Sequence, residues 1–135
     1  MATVLLVEDD DAIRGLLARV LERDGHAVTK ACHGGEAISH LTDVAFDLMV
    51  LDLMMPVASG SEVLTFMRRS GRMTPTVIIT AVHDLALVRL DLSGVLHVLR
   101  KPFDMEVLRH TVNACLPISP PEVDPAGLSD APSLT

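Results

Sequence analysis

The 135-residue chain is 49% apolar, which is enough to bury one sizeable core, and it is too short for two independent ones. Its 11 basic and 18 acidic residues give a formal charge of −7, which argues against direct binding to nucleic-acid phosphates. Charged residues interrupt every apolar run before the roughly 20 residues needed to cross a bilayer, so no membrane anchor is expected. Cys32 and Cys115 lack metal-type spacing and Thr3–Glu8 resembles a strand rather than a secretory leader, so a reduced, cytoplasmic setting is expected.

The first half of the chain alternates apolar strands with amphipathic helices. Thr3–Val7 is a continuous apolar run that Glu8 interrupts, as expected of a strand buried on both faces. From Ile13 the apolar residues recur with helical spacing as far as Gly25, a residue type that favours a helix end. The next predicted elements are a strand over Ala27–Ala31, a turn at Gly34–Gly35 and a short helix over Glu36–Leu41.

The same alternation continues through the second half. Leu48–Leu51 is another fully apolar strand, and it ends in Asp52. After Pro56 and Gly60, apolar residues at helical spacing predict a helix that runs to Gly71. The remaining predicted elements are a strand over Thr76–Thr80, a helix over Asp84–Leu92, a strand over Leu96–Leu99, and a helix that Asp104 caps and that reaches Leu116.

Five strand-helix units predict one (βα)5 domain over residues 1–116. Right-handed crossovers between such units produce a parallel sheet that helices cover on both faces. Five units are too few for an eight-stranded barrel, so the expected α/β fold is an open, doubly wound, flavodoxin-like sheet with strand order 2-1-3-4-5. Residues 117–135 hold five of the eight prolines, three acids and no basic residue, so we expect a disordered, Pro-rich acidic tail or linker there.

Polar side chains follow four of the predicted strands. Glu8 and Asp9 follow the first, Asp52 the third, Thr80 ends the fourth, and Lys101 follows the fifth. These ends meet at one edge of an open parallel sheet, where ligands bind. Carboxylates crowded at this edge would repel one another, and a bound cation would relieve that repulsion. Their oxygen atoms are ligands that suit Mg²⁺. With the Lys101 ammonium drawing charge from phosphoryl oxygens, Asp52 can attack in line and form an acyl phosphate that the Thr80 hydroxyl contacts.

The strand ends belong to short motifs, namely Val7-Glu8-Asp9-Asp10, Leu51-Asp52-Leu53-Met54-Met55-Pro56, Gly60, Ile79-Thr80-Ala81 and Lys101-Pro102-Phe103. In these motifs the chain strongly resembles the receiver domains of bacterial two-component response regulators, over residues 3 to about 116. The resemblance implies that Asp52 is the phosphoacceptor and Asp9 a direct Mg²⁺ ligand, with Glu8 a direct or water-mediated ligand. It also implies a backbone carbonyl ligand from Met54, phosphoryl contacts from Thr80 and Lys101, and a cis peptide before Pro102.

The resemblance implies a phosphorylation-controlled signalling module in a His-to-Asp phosphorelay, rather than a metabolic enzyme. Its phosphodonor would be a sensor histidine kinase or an intermediate phosphotransfer protein. The alternative is a degenerate receiver that acts as a phosphorylation-independent interaction scaffold, which the complete set of acids, threonine and lysine disfavours. A phosphatase with an aspartate nucleophile would need a second acid two residues after Asp52, where Met54 stands.

Each of these residues also has a simpler structural interpretation. Glu8–Asp11 could cap a helix, and Asp52 could be a turn residue at a strand end. Thr80 and Lys101 are, taken singly, ordinary strand and surface residues. Their joint placement at four strand ends favours the metal and phosphoryl site. The six histidines are scattered without metal-ligand spacing, so we assign them no catalytic role.

Three positions depart from the usual receiver pattern. Val98 occupies the switch position, where receivers usually have Tyr or Phe, so the aromatic readout is absent. Met54 and Val82, two residues after Asp52 and Thr80, cannot orient a hydrolytic water. We therefore expect slow intrinsic loss of the phosphoryl group.

The predicted helix Asp84–Leu92 carries Leu87 and Leu90 outside its inward stripe. Exposed apolar patches usually mark contacts, so this helix, the fifth strand and the last helix are predicted to form an interface for an effector protein or a homodimer. Irregular core packing is the alternative.

Overall fold

A computed structural model describes residues 2–55, 59–81 and 91–116 of the chain. Five parallel strands form one sheet in the order β2-β1-β3-β4-β5, which confirms the predicted flavodoxin-like topology. The strands are β1 Thr3–Val7, β2 Ala27–Ala31, β3 Leu48–Asp52, β4 Thr76–Thr80 and β5 Val95–Arg100. The helices within the described residues are α1 Asp11–Arg23, α2 Gly34–Asp43, α3 Gly60–Ser70 and α4 Met105–Cys115.

The central strands are mostly apolar because helices cover both faces of the sheet. Every residue of β3 and β4 is buried. Successive side chains alternate between two cores: Leu5 packs with α2 and α3 on one face, and Leu6 packs with α1 and α4 on the other. Burying a leucine side chain fully contributes about 1.5–3 kcal/mol, so the two cores hold the strand ends in place.

Side-chain caps begin the helices that border the carboxyl edge of the sheet. Asp10 accepts the Ile13 N–H at 2.9 Å and caps α1. The predicted cap of α4 is present, since Asp104 accepts the Glu106 N–H at 2.7 Å. The predicted end of α3 at Gly71 is also present, and this glycine adopts a left-handed conformation with φ of 73°.

The second helix begins earlier than its sequence predicts. Gly34 and Gly35 are helical, which corrects the predicted turn. The His33 imidazole accepts the Glu36 N–H through Nδ1 at 3.2 Å and caps the helix. A Cβ on Gly35 would lie 3.1 Å from this ring, so glycine makes room for the cap. A glycine pair predicts a turn because it lowers helix propensity, and here the cap outweighs that preference.

Other boundaries shift by one or two residues. Helix α1 begins at Asp11 rather than Ile13, because acidic residues are favourable in a first helical turn. Strand β5 is one residue longer at each end than predicted. Asp91 and Leu92 are not helical, so the predicted helix Asp84–Leu92 does not reach its expected end. The rest of that prediction lies outside the described residues.

Several predictions concern parts of the chain that the structure does not describe. Val82, Leu87 and Leu90 are among these residues, as is the whole segment 117–135. Across the described ranges, none of the helices combines the length and apolar character that a membrane span requires.

Candidate functional site

The carboxyl edge of the sheet gathers the strand ends that the sequence singles out. Strands β1 and β3 are neighbours, so the loop after β1 and the end of β3 share one crevice. Strand β4 lies next to β3, with Asp52 opposite Ile79, and β5 lies next to β4. Thr80, which is fully buried, and Lys101 therefore lie at the same edge as Asp52.

Three carboxylates converge in this crevice. Glu8, Asp9 and Asp52 each place a carboxylate oxygen within 4.8 Å of the others. Glu8 and Asp52 are 0% and 2% exposed, whereas Asp9 is exposed to solvent. Hard oxygen ligands suit Mg²⁺, and the solvent-exposed side allows the ion to keep several of its waters. The donor set therefore fits a magnesium ion.

Lys101 contacts both buried carboxylates. Its Nζ lies 2.8 Å from Glu8 Oε1 and 3.2 Å from Asp52 Oδ2. Burial disfavours the ammonium, but the hydrogen bond to Glu8 and attraction to Asp52 outweigh it and raise the pKa of Lys101 above its ordinary value. The Lys101 N–H donates to the Thr80 carbonyl at 2.9 Å, and the peptide between Lys101 and Pro102 is cis. A permanent cation thus lies beside the two acids.

Glu8 is a buried acid whose negative charge is unfavourable. Burial raises the pKa of Glu8 to about 7, and the charge of Asp52 adds to the rise. The hydrogen bond from Lys101 opposes this shift, as does the Asp10 N–H, which donates to Glu8 Oε2 at 3.2 Å. Without a cation, Glu8 is therefore partly protonated near neutral pH, and a bound cation would favour its ionised form.

The two carboxylate oxygens of Asp52 have different partners. Oδ1 accepts the Met54 N–H at 2.9 Å, and Oδ2 contacts Lys101. Met54 is 60% exposed, and its thioether is only a weak hydrogen-bond acceptor. The Met54 carbonyl, the predicted backbone ligand, belongs to the loop that follows Asp52 directly. The loop and the lysine together fix the orientation of the Asp52 carboxylate.

Gly60 allows the first turn of α3 to approach the end of β3. A Cβ at this position would lie 2.6 Å from the Asp52 carbonyl oxygen and 2.7 Å from the Leu53 Cα. Both atoms belong to the backbone and cannot move aside cheaply. The Gly60 N–H donates to the Leu53 carbonyl at 3.2 Å, which ties the helix to the loop. Glycine is therefore required for this contact next to Asp52.

Arg14 also belongs to the site, although no motif indicated it. Its Nη1 donates to the Glu8 carbonyl at 2.9 Å and to the Asp9 carbonyl at 3.4 Å. Its position on the first helical turn after the acidic run could have indicated this contact. Side chains of a helix point back toward its N-terminus, so Arg14 can reach the preceding loop. Arg14 thereby contacts the backbone that carries two of the three acids.

A second group of potential metal ligands lies at the N-terminus of α2. Cys32, His33 and Glu36 each have a ligand atom within 4.8 Å of the others, a convergence that their sequence spacing did not indicate. The Glu36 Oε1 accepts the Cys32 N–H at 2.7 Å, and the His33 imidazole caps the helix. Hydrogen bonding to Glu36 raises the pKa of Cys32 above its ordinary value. Helix capping accounts for this group.

Val98 lies in β5, opposite Ile78 of β4, and is half-buried against the core that includes α2 and α3. A valine has no ring to exchange between a buried and an exposed position. Any response to a change at Asp52 must therefore pass through other contacts. The predicted interface at Leu87 and Leu90 lies outside the described residues.

Comparison with known proteins places this chain in a family. The model of the response regulator receiver domain matches residues 4–113. The transcriptional regulatory protein AfsQ1 of Streptomyces coelicolor is 38% identical over 117 residues, which cover 86% of this chain and 52% of AfsQ1. The response regulator MprA of Mycobacterium sp. strain KMS is 35% identical over 134 residues, which cover 98% of this chain and 56% of MprA. The chain thus spans about half the length of these curated relatives.

Solved structures agree with this assignment. The Francisella response regulator 1452 receiver domain has a TM-score of 0.78 and 29% identity, covering 85% of this chain and 96% of that one. TrrA of Thermotoga maritima, in complex with Mg²⁺ and BeF, has a TM-score of 0.76 and 28% identity. The match covers 86% of this chain and 100% of TrrA. Chemotaxis protein CheY4 of Vibrio cholerae has a TM-score of 0.77 and 30% identity. The match covers 86% of this chain and 99% of CheY4. The chain therefore belongs to the response regulator receiver domain family.

Proposed function

We propose that Asp52 accepts a phosphoryl group from a phosphohistidine on a sensor histidine kinase or an intermediate phosphotransfer protein. The observation that carries this proposal is the contact of Lys101 Nζ with both Glu8 and Asp52. A fixed cation at this point can stabilise charge on a phosphoryl group that arrives at Asp52. Receiver domains are signalling modules rather than metabolic enzymes, which agrees with a phosphorylation-controlled role.

The proposed step is an in-line displacement at phosphorus. A carboxylate oxygen of Asp52 attacks, the new P–O bond forms as the P–N bond of the donor breaks, and the imidazole leaves with that electron pair. Lys101 then exchanges its contact with Asp52 for phosphoryl oxygens, and the Thr80 hydroxyl contacts another of them. The product is an acyl phosphate, and its hydrolysis restores the Asp52 carboxylate.

A magnesium ion would be held by the carboxylates of Glu8, Asp9 and Asp52 and by the Met54 carbonyl. When bound, it would offset the repulsion between the anionic Asp52 and the anionic phosphoryl group. Glu8 and Asp9 contribute the negative charge that attracts the ion, and Lys101 supplies the fixed positive charge on the protein side. Positioning and electrostatics would therefore provide the catalysis.

A phosphorylation-independent scaffold has less support. Burying the carboxylates of Glu8 and Asp52 is unfavourable, and their contacts with Lys101 only offset that cost, so a scaffold would gain nothing from keeping this charged group. Val98 concerns how phosphorylation is read out, and it does not affect acceptance at Asp52. An aspartate phosphatase lacks its second acid, because Met54 occupies that position.

We further propose that residues 1–116 are the receiver and that residues 117–135 are a tail or linker. The formal charge of −7 agrees with a domain that makes no direct nucleic-acid contact and controls an effector protein or a homodimer instead. Cys32 and Cys115 are free thiols, which suits a reducing compartment, and we propose the cytoplasm.

A phosphotransfer assay tests the donor class. The chain is incubated with Mg²⁺ and each of a panel of histidine-phosphorylated transfer proteins, beside the variants Asp52→Asn and Asp43→Asn. Asp43 is an exposed aspartate at the end of α2 and serves as the matched control. Wild type and Asp43→Asn should gain the label, and Asp52→Asn should not. Labelling of Asp52→Asn, or of no chain by any donor, would reject the proposal.

A further inference from the structure

We propose that Arg14 is a positioning residue that holds the acidic loop in the shape that binds a divalent cation. This inference rests on the proposed function, since it concerns the affinity of the same pocket for Mg²⁺. Arg14 itself contacts neither the Asp52 side chain nor any atom that would bind the metal. Its proposed role is to fix the backbone from which Glu8 and Asp9 project.

Arg14 satisfies three consecutive backbone carbonyls. Its backbone N–H donates to the Asp10 carbonyl at 2.8 Å, as the first turn of α1 requires. Its Nη1 donates to the carbonyls of Glu8 and Asp9, at 2.9 and 3.4 Å. One residue therefore holds the whole turn from β1 into α1.

The loop needs such a donor because the sheet ends there. The Glu8 N–H still donates to the Ala31 carbonyl of β2 at 3.1 Å, which is the last bond to that strand. The Glu8 carbonyl has left the sheet, and an unpaired carbonyl in a part-buried position is unfavourable. The Arg14 guanidinium supplies the missing donor, and its side chain is only 18% exposed.

The ion pair with Asp11 is a separate contact. Arg14 Nη2 meets Asp11 Oδ1, but the Asp11 side chain is 89% exposed, so solvent screens the pair. Asp11→Asn therefore removes this ion pair while leaving both carbonyl contacts in place. It is the matched control for the loss of a charge interaction at Arg14.

Whether removing Arg14 weakens or tightens Mg²⁺ binding separates a positioning role from a purely electrostatic one. A positive charge near a cation site repels the cation, so removing it should tighten Mg²⁺ binding if charge alone matters. If Arg14 positions the loop, its removal should weaken binding instead. The loss of a charge-assisted hydrogen bond corresponds to an increase of about tenfold in the dissociation constant.

Calorimetric titration with Mg²⁺ tests this inference on the full chain as wild type, Arg14→Met, Arg14→Lys and Asp11→Asn. Arg14→Met keeps the apolar stem and removes the donors, whereas Arg14→Lys keeps the charge and loses the planar fork. We expect about tenfold weaker binding for Arg14→Met, a smaller loss for Arg14→Lys and none for Asp11→Asn. Thermal unfolding without Mg²⁺ confirms that each variant is folded at the titration temperature.

A dissociation constant that is unchanged or lower in Arg14→Met overturns the inference. Should that variant not fold, Arg14→Lys decides alone, and wild-type affinity in it overturns the inference equally. A merely structural role would lower the unfolding temperature and leave the dissociation constant unchanged. If wild type itself does not bind Mg²⁺, the proposed function fails instead, so the two failures are distinguishable.

Discussion

Glu8 and Lys101 form a part-buried pair in which the charge of Glu8 depends on its surroundings, whereas Lys101 stays positive. Their charged atoms lie 2.8 Å apart, yet burial still raises the pKa of Glu8 from 4.5 to about 7. In the absence of a cation, Glu8 contributes less stability as the pH rises through that interval, because the folded state retains a proton that the unfolded chain releases. Protonation would therefore compete with the proposed metal binding for the same carboxylate.

We expect Mg²⁺ to bind less tightly as the pH falls below about 7. Below that value Glu8 carries a proton that must leave before the carboxylate can face the cation, so the dissociation constant should rise by up to about tenfold per pH unit. Above it, the contribution of Glu8 should be constant. Calorimetric titration at a series of pH values measures this, with Glu8→Gln as a variant that should lose the dependence. A dissociation constant that does not change with pH in wild type would contradict the expectation.

The residues of the pocket differ in how well the sequence predicts them. Asp52 and Thr80 end buried apolar strands, so topology alone brings them to one edge of the sheet. The contact of Lys101 with two acids and that of Arg14 with two carbonyls depend on how far long side chains reach across loops. The motifs indicated Lys101 and did not indicate Arg14. Hydrophobic periodicity carries no information about such contacts.

At the scale of elements, the site depends on how closely α3 approaches the end of β3. The loop between them carries Met54, whose N–H orients Asp52, and Gly60 begins the helix against the Asp52 backbone. Any side chain at Gly60 would push the helix away from that backbone. The conformation of the loop after Asp52, the proposed phosphoacceptor, therefore depends on a residue with no side chain.

Gly60→Ala should destabilise the fold and slow phosphoryl acceptance. Its Cβ would lie 2.6 Å from the Asp52 carbonyl oxygen, and such overpacking costs about 1–3 kcal/mol. Gly15→Ala, in α1, is the matched control, because its Cβ would meet nothing within 4 Å and should stabilise by about 0.4–1 kcal/mol. Urea unfolding and the labelling rate measure the two effects. Equal stability of Gly60→Ala and wild type would show that the loop adapts to the added methyl group.

Strands were easier to predict than helix ends. Strands β1, β2 and β4 have the predicted bounds. The central strands β1, β3 and β4 lie in apolar runs, which are distinctive because both of their faces are buried. Helix α2 starts at Gly34 because the His33 ring caps it. Histidine is not among the residue types that usually cap helices, so the sequence did not predict this start. The predicted helix end at Leu92 was also wrong, because Asp91 and Leu92 are not helical.

At the scale of the whole molecule, alternating strands and helices predicted the order 2-1-3-4-5, and that order places the site. The consequence of phosphorylation is a separate matter. Val98 is the predicted switch position and has no ring, so we expect a change at Asp52 to reach the surface through backbone or packing between β4 and β5. The predicted contacts of Leu87 and Leu90 belong to segments outside the described residues and stay predictions.

Intact-mass spectrometry of the full chain addresses phosphoryl acceptance most directly. Wild type and Asp52→Ala are incubated with a small acyl phosphate donor, with Mg²⁺ and with a chelator in parallel. We predict that wild type gains the mass of one phosphoryl group only when Mg²⁺ is present, and that Asp52→Ala gains none. Equal labelling of the two chains, or no labelling of wild type, would contradict the assignment of Asp52 as the phosphoacceptor.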